Sequence, residues 1–254
     1  MAEVDDGDQR IRSRGSGGGL MLCRERGAAV QTLRCDIRQY IYSDINALQF
    51  DQVFASTNEG FNEIWFFYCS TNSSTIDKYV IYNYVEDVWM YGSMARTAWL
   101  DTGLREYPLA ATYSHNIVNH EDGVDNNETG TPVAIDAYVQ SSDFDIGDGH
   151  NFGFVWRLIP DLTFDGSTSA APSVNFTVRP RQNPGANYGS SDDPAVASKQ
   201  SYASTTTYNV QQFTQQVYVR IRGRQMAFKI ESTDLGTQWQ LGAPRIDVRP
   251  DGRR

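Results

Sequence analysis

A chain of 254 residues with 40% hydrophobic side chains is long enough to bury a sizeable core, as one large domain or two small ones. Aromatic residues make up 12% of the chain and glycine occurs 21 times, which favours strands and tight turns over long exposed helices. The net charge of -9 is concentrated in residues 44–165, where 4 basic residues accompany 19 acidic ones. Because phosphate contact needs cations, this segment is a poor general nucleic-acid surface.

Cysteine usage and hydropathy exclude several further classes. The three cysteines, Cys23, Cys35 and Cys69, form no CxxC pair, which argues against a disulfide framework or a zinc knuckle and favours a reducing compartment. No apolar run approaches the roughly eighteen residues that a membrane-spanning helix needs. We therefore expect no membrane span, and nothing in the composition indicates a cofactor.

Residues 1–27 differ in composition from the rest of the chain. They contain five acidic residues, five arginines and a Gly/Ser-rich run, and they show no period of 2 or 3.6. Such a stretch buries too little apolar surface to offset its chain entropy. We predict a disordered or non-native arm over residues 1–27.

Short strands in consecutive order are predicted for residues 28–143. In the run 61–70, Ile64, Phe66 and Tyr68 alternate with the residues between them, as in a strand. The candidate strands are 30–33, 37–42, 61–70, 78–84, 88–91, 108–113, 115–120 and 131–142. The polar segments between them are typical of turns, so the pattern predicts antiparallel meanders that resemble partial blades of a β-propeller.

Longer strands and loops are predicted for residues 144–254. The run 152–164 carries Phe154, Trp156 and Leu158 at a spacing of two. The run 214–232 has the pattern of a hairpin. A strand at 173–181, a long loop at 183–200 and a last strand within 236–254 complete this part. We predict a β-sandwich-like C-terminal domain over 144–254, and an all-β fold for the whole chain.

No catalytic set emerges from the sequence. His115, His120 and His150 are the only histidines, and no G-x-S-x-G elbow accompanies them. His115 and His120 lie five residues apart, on opposite faces of a predicted strand, and we expect both to be ordinary exposed side chains. Paired carboxylates for glycoside cleavage could be drawn from the acidic middle, but spacing in sequence does not locate them. We therefore expect that the chain is not an enzyme.

One aspartate cluster is a weak candidate for metal binding. Asp143, Asp145 and Asp148 would supply the oxygen ligands that Ca²⁺ prefers. An EF-hand register starting at Asp143 would, however, put Phe154 where the bidentate glutamate belongs. Clusters of Asp and Gly are also common in hairpin turns. No metal site is predicted.

The arginines near the C-terminus suggest two further surfaces. Arg220 and Arg222 lie two residues apart and share one face of a strand, and Arg224 follows in the predicted turn. Fixed cations of this kind could face DNA, because they hold phosphate without reading sequence. The alternative is a solvated strand face or salt bridges between subunits. The same alternatives apply to a second group, assigned to a subunit or adaptor interface: Arg245, Arg249, Arg253 and Arg254.

Seven segments together resemble the tail nozzle subunit of short-tailed phages, a family also called tail tubular protein B or packaged-DNA stabilisation protein. The segments are 61–68, 78–92, 96–101, 138–149, 157–164, 222–233 and 239–254. The resemblance covers roughly residues 30–254. Family members are much longer, so most of their N-terminal β-propeller would have no counterpart in this chain.

The resemblance implies a structural role in the virion tail, after assembly in the host cytoplasm. It implies a hexameric ring that extends the portal channel, retains packaged DNA and conducts it during ejection. The implied partners are the portal-adaptor tail protein, tail needle or fibre proteins, and phage DNA in non-specific contact. From the residues alone, a β-sandwich module that binds carbohydrate or a receptor stays open. Trp65, Trp89 and Trp99 could stack on sugars, although such residues in alternating strands more often belong to the core.

Overall fold

A computed structural model of the chain is built almost entirely from antiparallel sheets, which confirms the predicted all-β fold class. It describes the backbone of residues 3–6, 9–15, 20–26, 29–32, 34–146, 149–184 and 206–252, and the side chains of these ranges from residue 34 onward. The chain divides into two compact units, Met1–Asp122 and Gly123–Arg254. The three-part division at 27/28 and 143/144 stays a prediction.

Four short strands near the N-terminus form an antiparallel sheet in consecutive order. They are β1 (Glu3–Asp6), β2 (Gln9–Gly15), β3 (Leu20–Arg26) and β4 (Ala29–Thr32). These strands differ from the arm without regular structure that the composition of 1–27 favours. Whether this segment is native to the protein stays a prediction.

A helix replaces one of the predicted strands. The segment 37–42 was predicted as a strand, but α1 (Arg38–Asp44) is helical. Ile41 is buried, and Ile37 and Tyr40 pack against the same core cluster. The strand prediction is wrong because these three residues, at spacings of three and four, reach one core only in a helix. Within the described residues, no helix is long and apolar enough to cross a membrane.

The centre of the first unit is a four-stranded antiparallel meander. Its strands are β5 (Phe54–Asn58), β6 (Glu63–Tyr68), β7 (Lys78–Asn83) and β8 (Val88–Ser93), with 3-10 turns at Ala47–Gln52 and Glu59–Phe61. Both faces of β6 are buried: Ile64 and Phe66 join one core cluster, and Trp65 and Phe67 join another. The predicted alternation along this strand is confirmed.

A small three-stranded sheet follows in the same unit, in the order β11-β10-β9. Its strands are β9 (Ala98–Leu100), β10 (Leu109–Ala111) and β11 (Ile117–Asn119). No described strand of this sheet pairs with the meander. Side chains connect the two instead: the Trp99 ring stacks on Trp65 at 5.0 Å, and its indole N–H donates to the Thr57 carbonyl at 2.9 Å.

The second unit contains two sheets that pack face to face. Its strands are β12 (Asp125–Asn126), β13 (Val133–Ala134), β14 (Ala137–Gln140), β15 (Phe144–Asp145), β16 (Gly153–Ile159), β17 (Leu162–Thr163), β18 (Ser173–Arg181), β19 (Thr206–Gln211), β20 (Val217–Gly223), β21 (Gln225–Ser232), β22 (Gln240–Leu241) and β23 (Arg245–Pro250). The larger sheet has the order β14-β21-β18-β19, with β15 also on β21, and the smaller has the order β20-β16-β23. Two further pairs are β12-β13 and β17-β22. Val155 and Ile221 of the smaller sheet share one core with Phe176 and Ile230 of the larger, which makes this unit a β-sandwich.

The predicted hairpin over 214–232 is wrong. Only Arg224 separates β20 from β21, yet β20 pairs with β16 while β21 pairs with β18 and β14. Both strands turn an apolar face to the common core, so the chain crosses from one sheet to the other at this point. Gly223 permits the crossing, because a Cβ there would lie 2.8 Å from the Arg181 carbonyl oxygen.

A β-bulge in β16 changes which side chains face outward. The register shifts between Val155, which pairs with Ile221, and Arg157, which pairs with Tyr218. As a result Leu158 is buried in the core and does not continue the row that begins with Phe154. The prediction of one continuous in-phase row is therefore wrong, because the extra residue shifts the alternation by one position.

Candidate functional site

The outer surface of the smaller sheet of the sandwich carries an unusual density of arginine and aromatic residues. We call it the arginine face. Its side chains are Tyr218, Arg220 and Arg222 on β20, Phe154, Trp156 and Arg157 on β16, and Arg245, Asp247 and Arg249 on β23. Directly paired residues project to the same side of a sheet. Phe154 pairs with both Arg222 and Arg249, which sets the three side chains in one row.

The bulge builds the aromatic centre of the arginine face. It brings Trp156 to the same side as Arg157, whose guanidinium carbon lies 4.9 Å from the indole centroid. The guanidinium of Arg249 lies 5.0 Å from the same ring, and Tyr218 stacks on it at 6.3 Å. Each such cation–π contact stabilises an exposed arginine by about 0.5–1 kcal/mol. The sequence pattern placed Trp156 in a row with Phe154 but did not predict its contacts with Arg157 and Arg249, because a bulge leaves no period to detect.

Charge on the arginine face is only partly neutralised. Arg157 forms an ion pair with Asp247, and Arg222 forms one with Asp251. Within the ranges that the structure describes, Arg220, Arg245 and Arg249 form no ion pair with a carboxylate. The face therefore keeps an excess of positive charge on a chain that is acidic overall.

The structure separates one of the three candidate DNA-facing arginines from the other two. Arg220 and Arg222 lie on the arginine face, whereas Arg224 lies at the crossing between the sheets. Its guanidinium sits 4.6 Å from the Phe152 ring centroid and donates to the Asn183 side chain at 2.6 Å. The Phe152 ring also supports Arg222, at 4.1 Å. Arg224 thus has partners inside its own unit.

The sequence analysis assigned two groups of arginines to different partners, DNA and a neighbouring subunit, but members of both groups share one surface. Arg245 and Arg249 of the predicted interface group lie on β23, on the same face as Arg220 and Arg222. Arg253 and Arg254 lie outside the described residues. The assignment of one group to DNA and the other to subunit contact stays a prediction.

Two aspartates of the weak metal candidate lie among the described residues, and both bind other side chains of the protein. Asp143 forms an ion pair with Arg181 at 2.5 Å, and Asp145 accepts a hydrogen bond from Gln225 at 2.9 Å. Asp148 lies outside the described residues. Among the described side chains, no group of three metal-ligating residues comes together.

The three tryptophans considered for sugar binding use their indole N–H groups internally. Trp65 donates to Glu63, Trp99 to the Thr57 carbonyl and Trp89 to the Arg34 carbonyl, each at 2.9 Å. Trp65 is buried, and Trp89 packs at the edge of the other core cluster of the meander. Their rings stabilise the first unit, and no observation on them favours a carbohydrate-binding module.

Comparisons with known proteins add little to this geometry. No family model matches the chain, and no curated protein matches its sequence. Among solved structures, the chain is similar to an exo-beta-1,3-galactanase from Phanerochaete chrysosporium. The identity is 10%, the TM-score is 0.26, and the match covers 97% of this chain and 67% of the galactanase chain.

This comparison corrects the expectation that the chain is not an enzyme. The similar structure is that of an enzyme, so enzymatic activity is no longer excluded. At 10% identity and a TM-score of 0.26, the likeness carries no argument for a reaction, a substrate or a catalytic residue.

Proposed function

We propose that the chain is a structural subunit of a short-tailed phage tail nozzle, and that its arginine face meets the DNA that the nozzle retains and conducts. The observation that carries the proposal is the excess of arginines on one sheet face of an otherwise acidic chain. The resemblance of seven segments to the tail nozzle family supports it from the sequence.

The geometry of the arginine face suits sequence-independent contact with phosphate. Ring contacts orient Arg249 on Trp156 and Arg222 on Phe152, so their donors are held before DNA arrives. Arginines neutralise phosphates and release counterions without reading base edges. Such contact slows a passing duplex without selecting a site on it.

An exposed apolar strand edge supports assembly with other chains. β14 lies at one edge of the larger sheet, and all four of its residues are exposed. Three apolar side chains in and before this strand are each more than half exposed: Val133, Ile135 and Tyr138. Unprotected edge strands of this kind pair readily with another chain. We propose that this edge contributes to a homo-oligomer, a hexameric ring by resemblance, or to contact with the portal-adaptor or needle and fibre proteins in the virion tail.

The test combines DNA binding with assembly. We would compare the wild type with the double variant Arg220→Glu/Arg249→Glu, and use Arg105→Glu, an exposed arginine of the other unit, as the control. Binding to a duplex of random sequence is measured by fluorescence anisotropy over a salt series, and rings are sought by electron microscopy. We expect the salt slope of binding to fall by about 0.9 for each phosphate contact removed.

The two parts of the proposal fail separately. Unchanged DNA binding in the folded double variant would remove the arginine face from the DNA path. Absence of rings in the wild type, and of any association with purified portal-adaptor protein, would remove the nozzle assignment.

A further inference from the structure

A second group of polar side chains, four of them ionisable, lies in the first unit, where the three-stranded sheet meets the meander. We call it the carboxyl cluster, and its members are Asn58, Glu63, Arg96, His120 and Glu121. Asn58, which is 1% exposed at the end of β5, donates from its amide to Glu121 at 3.2 Å. Glu63 accepts the indole N–H of Trp65 at 2.9 Å. Both Asn58 and Glu121 influence the pKa of Glu63, so carboxyl groups from the two parts of the unit lie near one buried amide.

The histidine of the carboxyl cluster is held in its neutral form. Arg96, a buried arginine, donates from Nε to Nε2 of His120 at 2.9 Å. A ring nitrogen that accepts a hydrogen bond carries no proton, so His120 holds its proton on Nδ1. Its ring lies 4.5 Å from that of Trp99. The expectation that His120 is an ordinary exposed histidine is wrong, because its ring is partly buried between Arg96 and Trp99 where β11 ends.

Burial drives all three titratable members of the cluster toward the uncharged form. Burial raises the pKa of Glu63, and the charge of Glu121 raises it further. Burial also raises the pKa of Glu121. Burial and then the neighbouring Arg96 lower the pKa of His120 to about 4. Tyr79 on β7 faces the same carboxyl groups, and burial followed by Glu63 and Glu121 raises its pKa.

The other contacts between the three-stranded sheet and the meander are also made mainly by side chains. The Trp99 ring packs on Trp65 at 5.0 Å and donates to the Thr57 carbonyl, and the backbone N–H of Glu59 donates to Asp101 at 3.0 Å. The Tyr113 hydroxyl accepts from the backbone N–H of Ile76 at 2.9 Å. Elements attached mainly by side chains open locally at a low free-energy cost. A change of charge within the cluster therefore acts at the place where side chains join the two sheets.

We propose that Glu63, Glu121 and His120 form a proton-controlled latch, which holds the three-stranded sheet on the meander while all three are neutral and loosens it when they become charged. The proposal is independent of the proposed tail function. The groups that face the latch are Glu63 from β6, Tyr79 from β7, Arg96 from the segment before β9, Asp101 from the segment after β9, and His120 and Glu121 from the segment after β11.

The direction of the pH response follows from the sign of each shift. A glutamate whose pKa is raised on folding stabilises the latch at pH values below 4.5, the ordinary glutamate pKa. This contribution is lost as the pH rises through the raised pKa. A histidine whose pKa is lowered stabilises it above 6.5, and this contribution is lost as the pH falls from 6.5 to about 4. The latch is therefore tightest at mildly acidic pH and loosens toward neutral and alkaline pH.

Hydrogen exchange of the full chain tests the latch. We would follow backbone amides of residues 97–120 across pH, divide each rate by its intrinsic rate, and use amides of β16 as an internal reference. We expect the opening equilibrium of 97–120 to rise from mildly acidic to alkaline pH, by about tenfold for each unit by which a glutamate pKa is raised. Glu63→Gln/Glu121→Gln should abolish this rise, and Glu86→Gln, which removes an exposed turn carboxylate, should leave it unchanged.

Two outcomes would overturn the latch. One is equal pH dependence of exchange in 97–120 and β16 of the wild type. The other is a wild-type carboxyl NMR titration in which Glu63 and Glu121 ionise at the ordinary glutamate value. The NMR measurement needs no variant, so it decides the matter even if the double variant does not fold.

Discussion

Gly223 offers a direct test of the crossing between the two sheets of the sandwich. In a simple hairpin, this residue would lie in an open turn and would accept alanine without cost. In the structure, a Cβ on Gly223 would lie 2.8 Å from the Arg181 carbonyl oxygen and 3.0 Å from that of Gln225. Both neighbours are backbone atoms, so neither can rotate away. The Gly223→Ala variant must therefore move a strand.

The expected cost of Gly223→Ala is about 1–3 kcal/mol in the free energy of unfolding, as for other insertions of a methyl group into a packed interior. For a unit of this size, that corresponds to a fall in melting temperature of about 3 °C or more per kcal/mol. We would measure it by urea unfolding and by differential scanning calorimetry. Gly60→Ala is the matched control, since its nearest neighbour atom lies at 4.0 Å. A Gly223→Ala variant as stable as the wild type would refute the crossing.

Three further outcomes are expected. Ile230→Ala, in the sandwich core, should lower the free energy of unfolding by about 2–5 kcal/mol, seen by urea denaturation, and a loss under 1 kcal/mol would contradict the shared core. Trp156→Leu should weaken binding to duplex DNA and reduce the salt dependence of that binding, because Arg249 loses the ring that orients its guanidinium. The control is Trp239→Leu at the edge of the core, which should lower the stability of the unit and leave the salt dependence of binding unchanged. Replacing His120 with Asn removes the destabilisation that protonation of His120 contributes as the pH falls from 6.5 to about 4, so thermal melts should show that the variant gains stability relative to the wild type over this window; a difference between the two that does not change with pH would show that His120 does not titrate there.

Local patterns in the sequence were sufficient for the all-β class and for several strands. The alternation through Ile64 and Phe66 predicted β6, because adjacent strand residues point to opposite faces and both faces here are buried. Arg220 and Arg222 were placed on one strand face for the same reason, and the structure has them there. The same local reasoning failed at α1, since a stretch as short as 37–42 satisfies strand and helix periods equally well.

What tertiary structure alone decided is which strands pair and which side chains meet. The sequence by itself determined that β20 and β21 are amphipathic strands, but only packing around a common core decided that they join different sheets. The bulge brings Trp156 to the outer face of its sheet, and Glu63 lies near Glu121; both arrangements depend on residues far apart in the chain. Periodicity is a property of neighbouring residues, whereas pairing register and burial depend on contacts between distant ones, and no local pattern encodes them.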